Sequence, residues 1–555
     1  MFLLSEYWAH RRTCKLKQQE REQRIQSLPQ EYHDPISEPD ADILAKPVSE
    51  IVALVNAGKL APRDILLAYG KKALVAHRQT NCLTEIMIPS AEDWAKHCDT
   101  AGPLAGMPIS LKDTVCVAGY DSTAGYSAQA FKPATHNAAL TQLLLDAGAI
   151  PFVKTNIPIT LLAFESASDL WGTAVNAHVP GYSPGGSTGG EGSLLAFGGS
   201  RLGIGTDVAG SVRMPAHFSG VYTVKATVGR FMKAGNFTPM VGQEGIPPVY
   251  SPMARTLEDL EMFWKAVTSM KPWEYDPYCV PLPWREIKLP SRLRIGVLRD
   301  DGVVVPSPAC KRALDEVVSA LQEAGHEVFP IEPPAPAEAL RVGSQLMANG
   351  VITATSHIRA GEACDPGAAQ ALRALQLPNF LRRLWAWYIR YLRRDPLYAD
   401  LIAAFRPQSG QEFYARIGDR EAYKMRWHAF WDKNKMDFVL TVPNALPATR
   451  FGESRTQWKS CLPTFLFNVQ LDYSAGVLPI TRVDSALDDI APGTFRPRNA
   501  IEAGAYKGYD AKSMHGLPVG VQLVARRYEE EKVIEGMKLV EGLLKARGKA
   551  YQLLL

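Results

Sequence analysis

A segment rich in glycine and serine, residues 181–215, constrains this chain more than any other part of its sequence. It reads GYSPGGSTGGEGSLLAFGGSRLGIGTDVAGSVRMP, two clusters of small residues joined by a helix-like run. Small residues permit tight turns in which several backbone N–H groups point at one spot. That arrangement is what an oxyanion hole requires. The segment therefore predicts a site built largely from main-chain donors.

Neither a nucleophile elbow nor a nucleotide-binding loop, whether of the Walker or the dinucleotide type, fits this segment. Residues 181–185 match G-x-S-x-G, but a nucleophile elbow uses the N–H of the residue after the serine, and Pro184 has none. A Walker phosphate loop is absent because neither cluster supplies its lysine and hydroxyl pair. Gly203, Gly205 and Gly210 match a dinucleotide fingerprint poorly, because the third glycine is misplaced.

A third kind of site is a serine hydrolase that uses lysine in place of histidine. Ser211 follows Ala209 and Gly210, and Lys112 ends the apolar run MPISL. Lowering a lysine pKa from about 10.4 towards 7 costs about 4–5 kcal/mol, which burial can impose. Taken alone, Lys112 is better interpreted as a lysine at a strand end that pairs with Asp113 or another acid, and only the neighbouring motifs favour a base.

Together these motifs resemble the amidase-signature family. GMPISLKD (106–113) and PGGSTGGEGSLLAFGGSRLGIGTDVAGSVRMPA (184–216) carry the resemblance, and LDYSAGVLPITRV and HGLPVGVQLVARRYEEEKV extend it towards the C-terminus. The likeness covers about residues 45–548 and is closest to fatty acid amide hydrolases and fungal general amidases. It implies an α/β fold with a single large mixed β-sheet covered by helices on both faces.

The resemblance also implies roles for particular residues. Ser211 matches the acylated nucleophile, Ser187 the proton relay that follows a cis peptide bond from Gly186, and Lys112 the base. Leu161 matches a residue that lines an acyl-chain pocket. The positions that match the oxyanion hole are the backbone N–H groups of Val208, Ala209, Gly210 and Ser211.

We also predict the effects of four residues near these positions. Thr188 and Ala209 stand where many family members have serine and glycine, and neither change removes a catalytic group. Asp207 and Arg213 flank the nucleophile, and we expect them to hold its loop by charge-assisted hydrogen bonds.

The rest of the chain alternates helical and strand-like segments, which favours an α/β architecture. We expect an N-terminal helical arm and connector over residues 1–45, with 1–30 a polar helix in water, and a catalytic domain over 46–555. A helix capped by Ser49 starts that domain. Further strands are expected at 104–113, 150–156, 436–443 and 517–525, helices at 138–149 and 533–546, and a strand–helix–strand unit at 293–331.

Composition excludes several classes of protein. Sixty-one Lys and Arg against 57 Asp and Glu leave a formal charge of +4, too weak for general nucleic-acid binding. Eight cysteines without a CxxC pair predict neither a zinc nor a redox motif. No run approaches the roughly 20 apolar residues of a membrane span, and the N-terminus does not resemble a secretory signal. We expect a cytoplasmic protein without cofactor or metal. The sequence leaves open whether the protein forms a homodimer.

One segment, residues 377–402, bears on the substrate. On a helical projection Arg382, Arg383, Arg390, Arg393 and Arg394 share one arc, and aromatic and aliphatic side chains fill the opposite side. This pattern is typical of an interfacial membrane helix, and equally of a helix packed on the core with its arginines in water. The segment also resembles the membrane-binding cap of fatty acid amide hydrolases.

The resemblance to that cap favours peripheral membrane contact through 377–402 and a lipid amide substrate, such as an N-acylethanolamine. The alternatives are a general short-chain or aryl amidase, a glutamine-hydrolysing subunit of a tRNA amidotransferase, and a non-catalytic lipid-binding protein on the same fold.

Overall fold

Short apolar runs along the chain form the strands of one large sheet. The computed structural model describes residues 2–457, 460–491 and 493–554. Its strands are β1 (Leu83–Ile86), β2 (Pro108–Lys112), β3 (Ile150–Thr155), β4 (Ala167–Ser168), β5 (Gly172–Thr173), β6 (Leu202–Asp207), β7 (Tyr222–Lys225), β8 (Val249–Ala254), β9 (Arg294–Leu298), β10 (Glu327–Pro330), β11 (Phe438–Thr441), β12 (Ser474–Arg482) and β13 (Pro518–Ala525).

Eleven of these strands, within the described residues, hydrogen-bond in the order β1-β3-β2-β6-β8-β7-β12-β13-β11-β9-β10. The pairs β3–β2, β2–β6, β11–β9 and β9–β10 are parallel, and the remaining pairs are antiparallel. The remaining two strands, β4 and β5, form a separate antiparallel ribbon. The predicted large mixed sheet is therefore confirmed.

Helices surround the sheet. They are α1 (Phe2–Gln26), α2 (Glu38–Ala45), α3 (Val48–Asn56), α4 (Pro62–Thr80), α5 (Ile88–His97), α6 (Ala139–Asp146), α7 (Gly189–Phe197), α8 (Arg213–Ser219), α9 (Leu257–Ser269), α10 (Pro308–Glu323), α11 (Pro336–Thr355), α12 (Pro366–Gln376), α13 (Asn379–Tyr391), α14 (Pro396–Ala404), α15 (Gly410–Asn434), α16 (Ser454–Gln457), α17 (Leu462–Phe465), α18 (Ala500–Tyr506) and α19 (Glu530–Ala546).

Both faces of the sheet are covered, as one pair of neighbours on β12 illustrates. Consecutive strand residues point to opposite faces. Gly476 lies directly against Met537 of α19, whereas Val477 packs in a cluster with Ala216 of α8. Because β12 is buried on both sides, its sequence shows no polar alternation.

The predicted elements 104–113, 138–149, 150–156, 293–331, 436–443, 517–525 and 533–546 all contain the expected strand or helix. One local expectation was wrong: α3 begins at Val48 with Pro47 as its N-cap, so Ser49 is not the cap. The connector before residue 46 contains α2, which Ser37 caps.

The polar helix α1 packs on the catalytic domain through buried charges, so the expectation of a helix in water was wrong. Lys17 is buried, and its Nζ lies 2.6 Å from a carboxylate oxygen of Glu85 and 2.7 Å from one of Asp121. His10 contacts Asp169 and Ser127 at 3.0 Å. Across the described ranges, no helix is both long and apolar enough to cross a bilayer.

Candidate active site

Lys112, at the carboxyl end of β2, lies completely buried among hydroxyl groups. Its Nζ is 2.8 Å from Ser187 Oγ, 2.9 Å from Thr188 Oγ1 and 2.6 Å from Thr206 Oγ1. Burial lowers the pKa of Lys112 to about 7, against the opposing charges of Asp207, Asp113 and Glu191. An amine in this setting can lose its proton near neutral pH.

The nearby acids do not form an ion pair with this lysine. The Asp113 carboxylate accepts hydrogen bonds from the backbone N–H groups of Thr123 and Ala124, at 2.9 and 2.8 Å. Burial raises the pKa of Glu191 to about 8, and its carboxyl group accepts a hydrogen bond of 2.9 Å from Thr155 Oγ1. Among the residues that the structure describes, Lys112 has no salt-bridge partner, so the alternative reading of a lysine paired with Asp113 was wrong.

Ser187 and Ser211 are brought together on the wall of one cavity. The Gly186–Ser187 peptide is cis, as the resemblance implied, and Ser187 is buried against Lys112. Ser211 is half-buried, and its carbonyl accepts a hydrogen bond of 3.2 Å from the Thr188 N–H. Lys112 and Ser187, the proposed base and relay, are thus shielded from water, while Ser211, the proposed nucleophile, remains accessible.

Asp207 and Arg213 hold the turn that carries Ser211. Both side chains are completely buried, and the guanidinium contacts both carboxylate oxygens, at 3.0 and 3.1 Å. The carboxylate also accepts the N–H groups of Gly210 at 2.8 Å and Val212 at 3.2 Å. Burial alone raises the pKa of Asp207, but the charge of Arg213 outweighs this effect and holds the pKa below its ordinary value. The expected charge-assisted bonds are present.

The same turn presents the expected oxyanion-hole donors, with one correction. The Gly210 N–H is bonded to Asp207 and is therefore not free for a substrate. The N–H groups of Val208, Ala209 and Ser211 have no partner among the described residues. Gly210 has a φ of 122°, and a Cβ there would lie 2.6 Å from Thr464 Oγ1, so the turn requires glycine at this position.

Two cavities meet at Ser211. The first, of about 90 Å³, is apolar and also touches Leu161, Val208 and Ala209. The second, of about 40 Å³, shares Leu161, Val208 and Ser211 with it but is lined by more polar side chains. Leu162 also lines both cavities. The first is further lined by Phe164, Leu340, Met347, Val351, Phe405, Leu462 and Phe465, and the second by Thr114, Ser187, Thr206, Phe237, Thr238, Met240, Gln243, Pro248 and Tyr250.

A third cavity, of about 300 Å³, continues from the apolar one beneath α13. Ser344, Ala371 and Phe405 line both, so the two spaces adjoin. Its remaining wall comes from α12, α13 and α14, including Trp385 and Arg382.

Helix α13 turns its aromatic residues outward. The exposed side chains are Phe380 (70%), Leu381 (40%), Leu384 (60%), Trp385 (38%), Trp387 (52%), Tyr388 (43%), Tyr391 (61%) and Leu392 (63%), which we call the aromatic face. The expected arginine face was partly wrong, because Arg382 is buried and donates to the carbonyls of Ala374, Leu375 and Leu377 near the end of α12.

Sequence reasoning missed several residues of the site. Thr206, in the unpredicted strand β6, touches Lys112, and Asn468 donates to the backbone carbonyls of Asp207 and Val208. Neither residue lies in a motif whose spacing indicates such a contact. Their neighbours in space are distant in sequence, so no local pattern could have found them.

Comparison with known proteins identifies one family that this chain matches. The family model described as Amidase matches residues 64–534. Amidase 1 of Gibberella moniliformis is 34% identical over 90% of this chain and 94% of its own length, and fatty-acid amide hydrolase 1 of Sus scrofa is 34% identical over 92% and 88%. A solved structure of fatty acid amide hydrolase superposes with a TM-score of 0.82 at 25% identity, covering 98% of this chain and 95% of that one. The chain belongs to the amidase-signature family of enzymes that hydrolyse amide bonds.

Proposed function

We propose that this amidase hydrolyses long-chain fatty acid amides, such as N-acylethanolamines or primary amides, through an acyl-enzyme on Ser211. The observation that carries the proposal is the 2.8 Å contact between Lys112 Nζ and Ser187 Oγ, buried and without a neutralising carboxylate. A lysine whose pKa is near 7 serves as a general base at neutral pH.

Proton transfer begins at the neutral amine. Lys112 Nζ accepts the Ser187 hydroxyl proton while Ser187 Oγ accepts the proton of Ser211, whose oxygen attacks the amide carbon. Thr188 and Thr206 accept hydrogen bonds from Lys112 in both protonation states, because the neutral amine turns its one lone pair to Ser187 and still has two N–H donors. Because these two hydrogen bonds persist, each proton transfer requires little reorganisation around Lys112.

The same relay then serves the leaving group. An amine departs poorly unless it is protonated, so Lys112 returns the proton through Ser187 to the amide nitrogen. Water hydrolyses the resulting ester by the reverse route, with the same two residues as base and relay. The negative charge that develops on the carbonyl oxygen is stabilised by the free N–H groups of Val208, Ala209 and Ser211.

The cavities suggest where the two halves of the substrate bind. The apolar cavity beside Leu161 suits the acyl chain, and the space beneath α13 extends this route towards the surface. The smaller cavity beside Ser187, which has both polar and apolar side chains in its wall, suits the amine. A relative named fatty-acid amide hydrolase supports a lipid substrate, whereas a relative named simply amidase keeps a general short-chain or aryl amidase as the second candidate.

Peripheral membrane contact through 377–402 is part of the proposal. An aromatic face beside the entrance to an apolar route would reach substrates that partition into a bilayer. Arg383, Arg393 and Arg394 are exposed next to this face and can contact lipid phosphate groups.

The other candidates receive less support. A glutamine-hydrolysing subunit needs no apolar route of this size, and a non-catalytic binding protein needs no buried lysine within hydrogen-bonding distance of a serine.

The test is hydrolysis of acyl amides from two to twenty carbons by the wild type and by Ser211→Ala. A kcat/KM that rises with chain length and vanishes in the variant supports the proposal. A flat or falling profile that still requires Ser211 supports the general amidase instead, and activity that survives in Ser211→Ala contradicts the mechanism.

A further inference from the structure

A single carboxamide lies behind the turn that carries the proposed oxyanion hole. Asn468 stands in the middle of a π-helix, Leu466–Gln470, and its side chain is buried. Its Nδ2 donates to the backbone carbonyl of Asp207 at 3.2 Å and to that of Val208. One side chain thus holds two successive peptide groups of the turn.

The orientation of this carboxamide is fixed from its other end. Lys225 Nζ lies 3.0 Å from Asn468 Oδ1, and an ammonium group can only donate, so it selects the oxygen. Lys225 is itself paired with Asp472 at 3.3 Å, and Asp472 also accepts from Arg527 at 2.9 Å. With its oxygen held by Lys225, the carboxamide turns Nδ2 towards the two carbonyls, where it also lies 3.4 Å from Asp207 Oδ1.

The contact determines where the free N–H groups point. In a planar trans peptide, the carbonyl of one residue and the N–H of the next point in opposite directions. Holding the Asp207 carbonyl therefore directs the Val208 N–H away from Asn468, and holding the Val208 carbonyl directs the Ala209 N–H likewise. Both Val208 and Ala209 line the apolar cavity beside Ser211.

We propose that Asn468 is a positioning residue that sets the Val208 and Ala209 N–H groups for oxyanion stabilisation. The inference rests on the proposed function, since it requires that these groups receive the charge formed when Ser211 attacks. Asn468 does not touch the substrate, so its contribution appears only as the oxyanion develops.

Asn468→Asp is the most informative change, because the carboxylate has the same shape and keeps the contact with Lys225. It has no donor for the two carbonyls, and it repels them and the neighbouring Asp207 carboxylate. Removal of one oxyanion donor lowers kcat on the order of 100- to 1000-fold, so disturbing the orientation of two is expected to lower kcat by about 10- to 100-fold. KM is expected to change far less.

The matched control is Gln470→Leu in the same π-helix. Gln470 Nε2 donates to the Ala339 carbonyl at 2.7 Å, away from the turn. Its loss is expected to lower the melting temperature but leave kcat near that of the wild type. A purely structural role for Asn468 would make the two variants behave alike.

The experiment measures kcat, KM and melting temperature for both variants, and the affinity for a trifluoromethyl ketone, whose adduct with the serine carries an oxyanion. The inference is supported if Asn468→Asp loses kcat and ketone affinity in parallel while Gln470→Leu keeps both. If Asn468→Asp does not fold, Asn468→Ser is measured in the same way.

An unchanged kcat in a folded Asn468 variant overturns the inference, as does a loss confined to KM. Ser211→Ala is assayed beside these variants. An inactive Ser211→Ala with a fully active Asn468→Asp removes only the role of Asn468, whereas an active Ser211→Ala removes the proposed function itself.

Discussion

At the scale of single residues, two buried lysines show how environment separates a structural side chain from a reactive one. Burial alone lowers the pKa of Lys17, but the carboxylates of Glu85 and Asp121 raise it above its ordinary value. Lys112 has hydroxyl neighbours instead, and burial lowers its pKa to about 7. The first lysine stays charged and links α1 to the domain, while the second can exchange a proton.

The pKa of Lys112 predicts the pH dependence of the reaction. The base must be neutral, so kcat/KM is expected to rise as the pH increases through about 7 and to fall on the acid side. Lys112→Met is expected to lower kcat/KM by about 100- to 10,000-fold and to abolish this limb. The measurement is a pH–rate profile from pH 5 to 9.

Lys154 supplies the control for that profile. It is a buried lysine on the neighbouring parallel strand β3, and its Nζ donates to the Asp121 carbonyl and to Ser122 Oγ. Lys154→Met is expected to change stability while the acid limb stays near pH 7. An acid limb that persists in Lys112→Met would assign the titration to another group.

At the scale of elements, α13 shows what a helical projection can and cannot predict. The amphipathic pattern of 377–402 was visible in the sequence, but it did not reveal which side packs on the protein. Arg382, Ala386 and Ile389 form the buried side, so an arginine belongs to it. Its guanidinium is accommodated because it donates to backbone carbonyls at the end of α12, five to eight residues earlier in the chain, and a projection of side chains does not show such partners.

The aromatic face predicts membrane binding. The double variant Leu384→Ser/Trp387→Ser removes exposed apolar surface and is expected to reduce vesicle binding severalfold without a large change in melting temperature. Tyr414→Ser on α15 is the control, since Tyr414 is 75% exposed outside this face. The measurement is flotation with anionic phospholipid vesicles, and a wild type that stays wholly unbound would argue against peripheral contact.

At the scale of the whole molecule, α1 is held on the catalytic domain by ionic contacts between distant parts of the chain. Lys17→Met would leave Asp121 and Glu85 buried with a partner missing, which typically costs about 3–5 kcal/mol. We expect a clear loss in the free energy of unfolding, measured by denaturant titration. Lys15→Met, at an exposed position of the same helix, is expected to change little, and equal effects would show that α1 contributes no specific ion pairs.

The sequence predicted much of this architecture and less of the site. Apolar runs such as 104–113 and 517–525 identify buried strands, whereas small or polar residues interrupt the apolar ones in β6 and β7, so these two strands gave no such signal. The roles of Lys112, Ser187 and Ser211 came from family resemblance, because no periodicity joins residues so far apart. Asn468 and Thr206 became visible only once the fold placed them beside the turn.

The most direct test of the proposed mechanism is labelling with a long-chain fluorophosphonate, mapped by peptide mass spectrometry. The mechanism predicts one modified peptide, carrying the label on Ser211, with a labelling rate that falls below pH 7 and no label in Ser211→Ala. Label on another residue, or label that persists in Ser211→Ala, would contradict the assignment of Ser211 as the nucleophile.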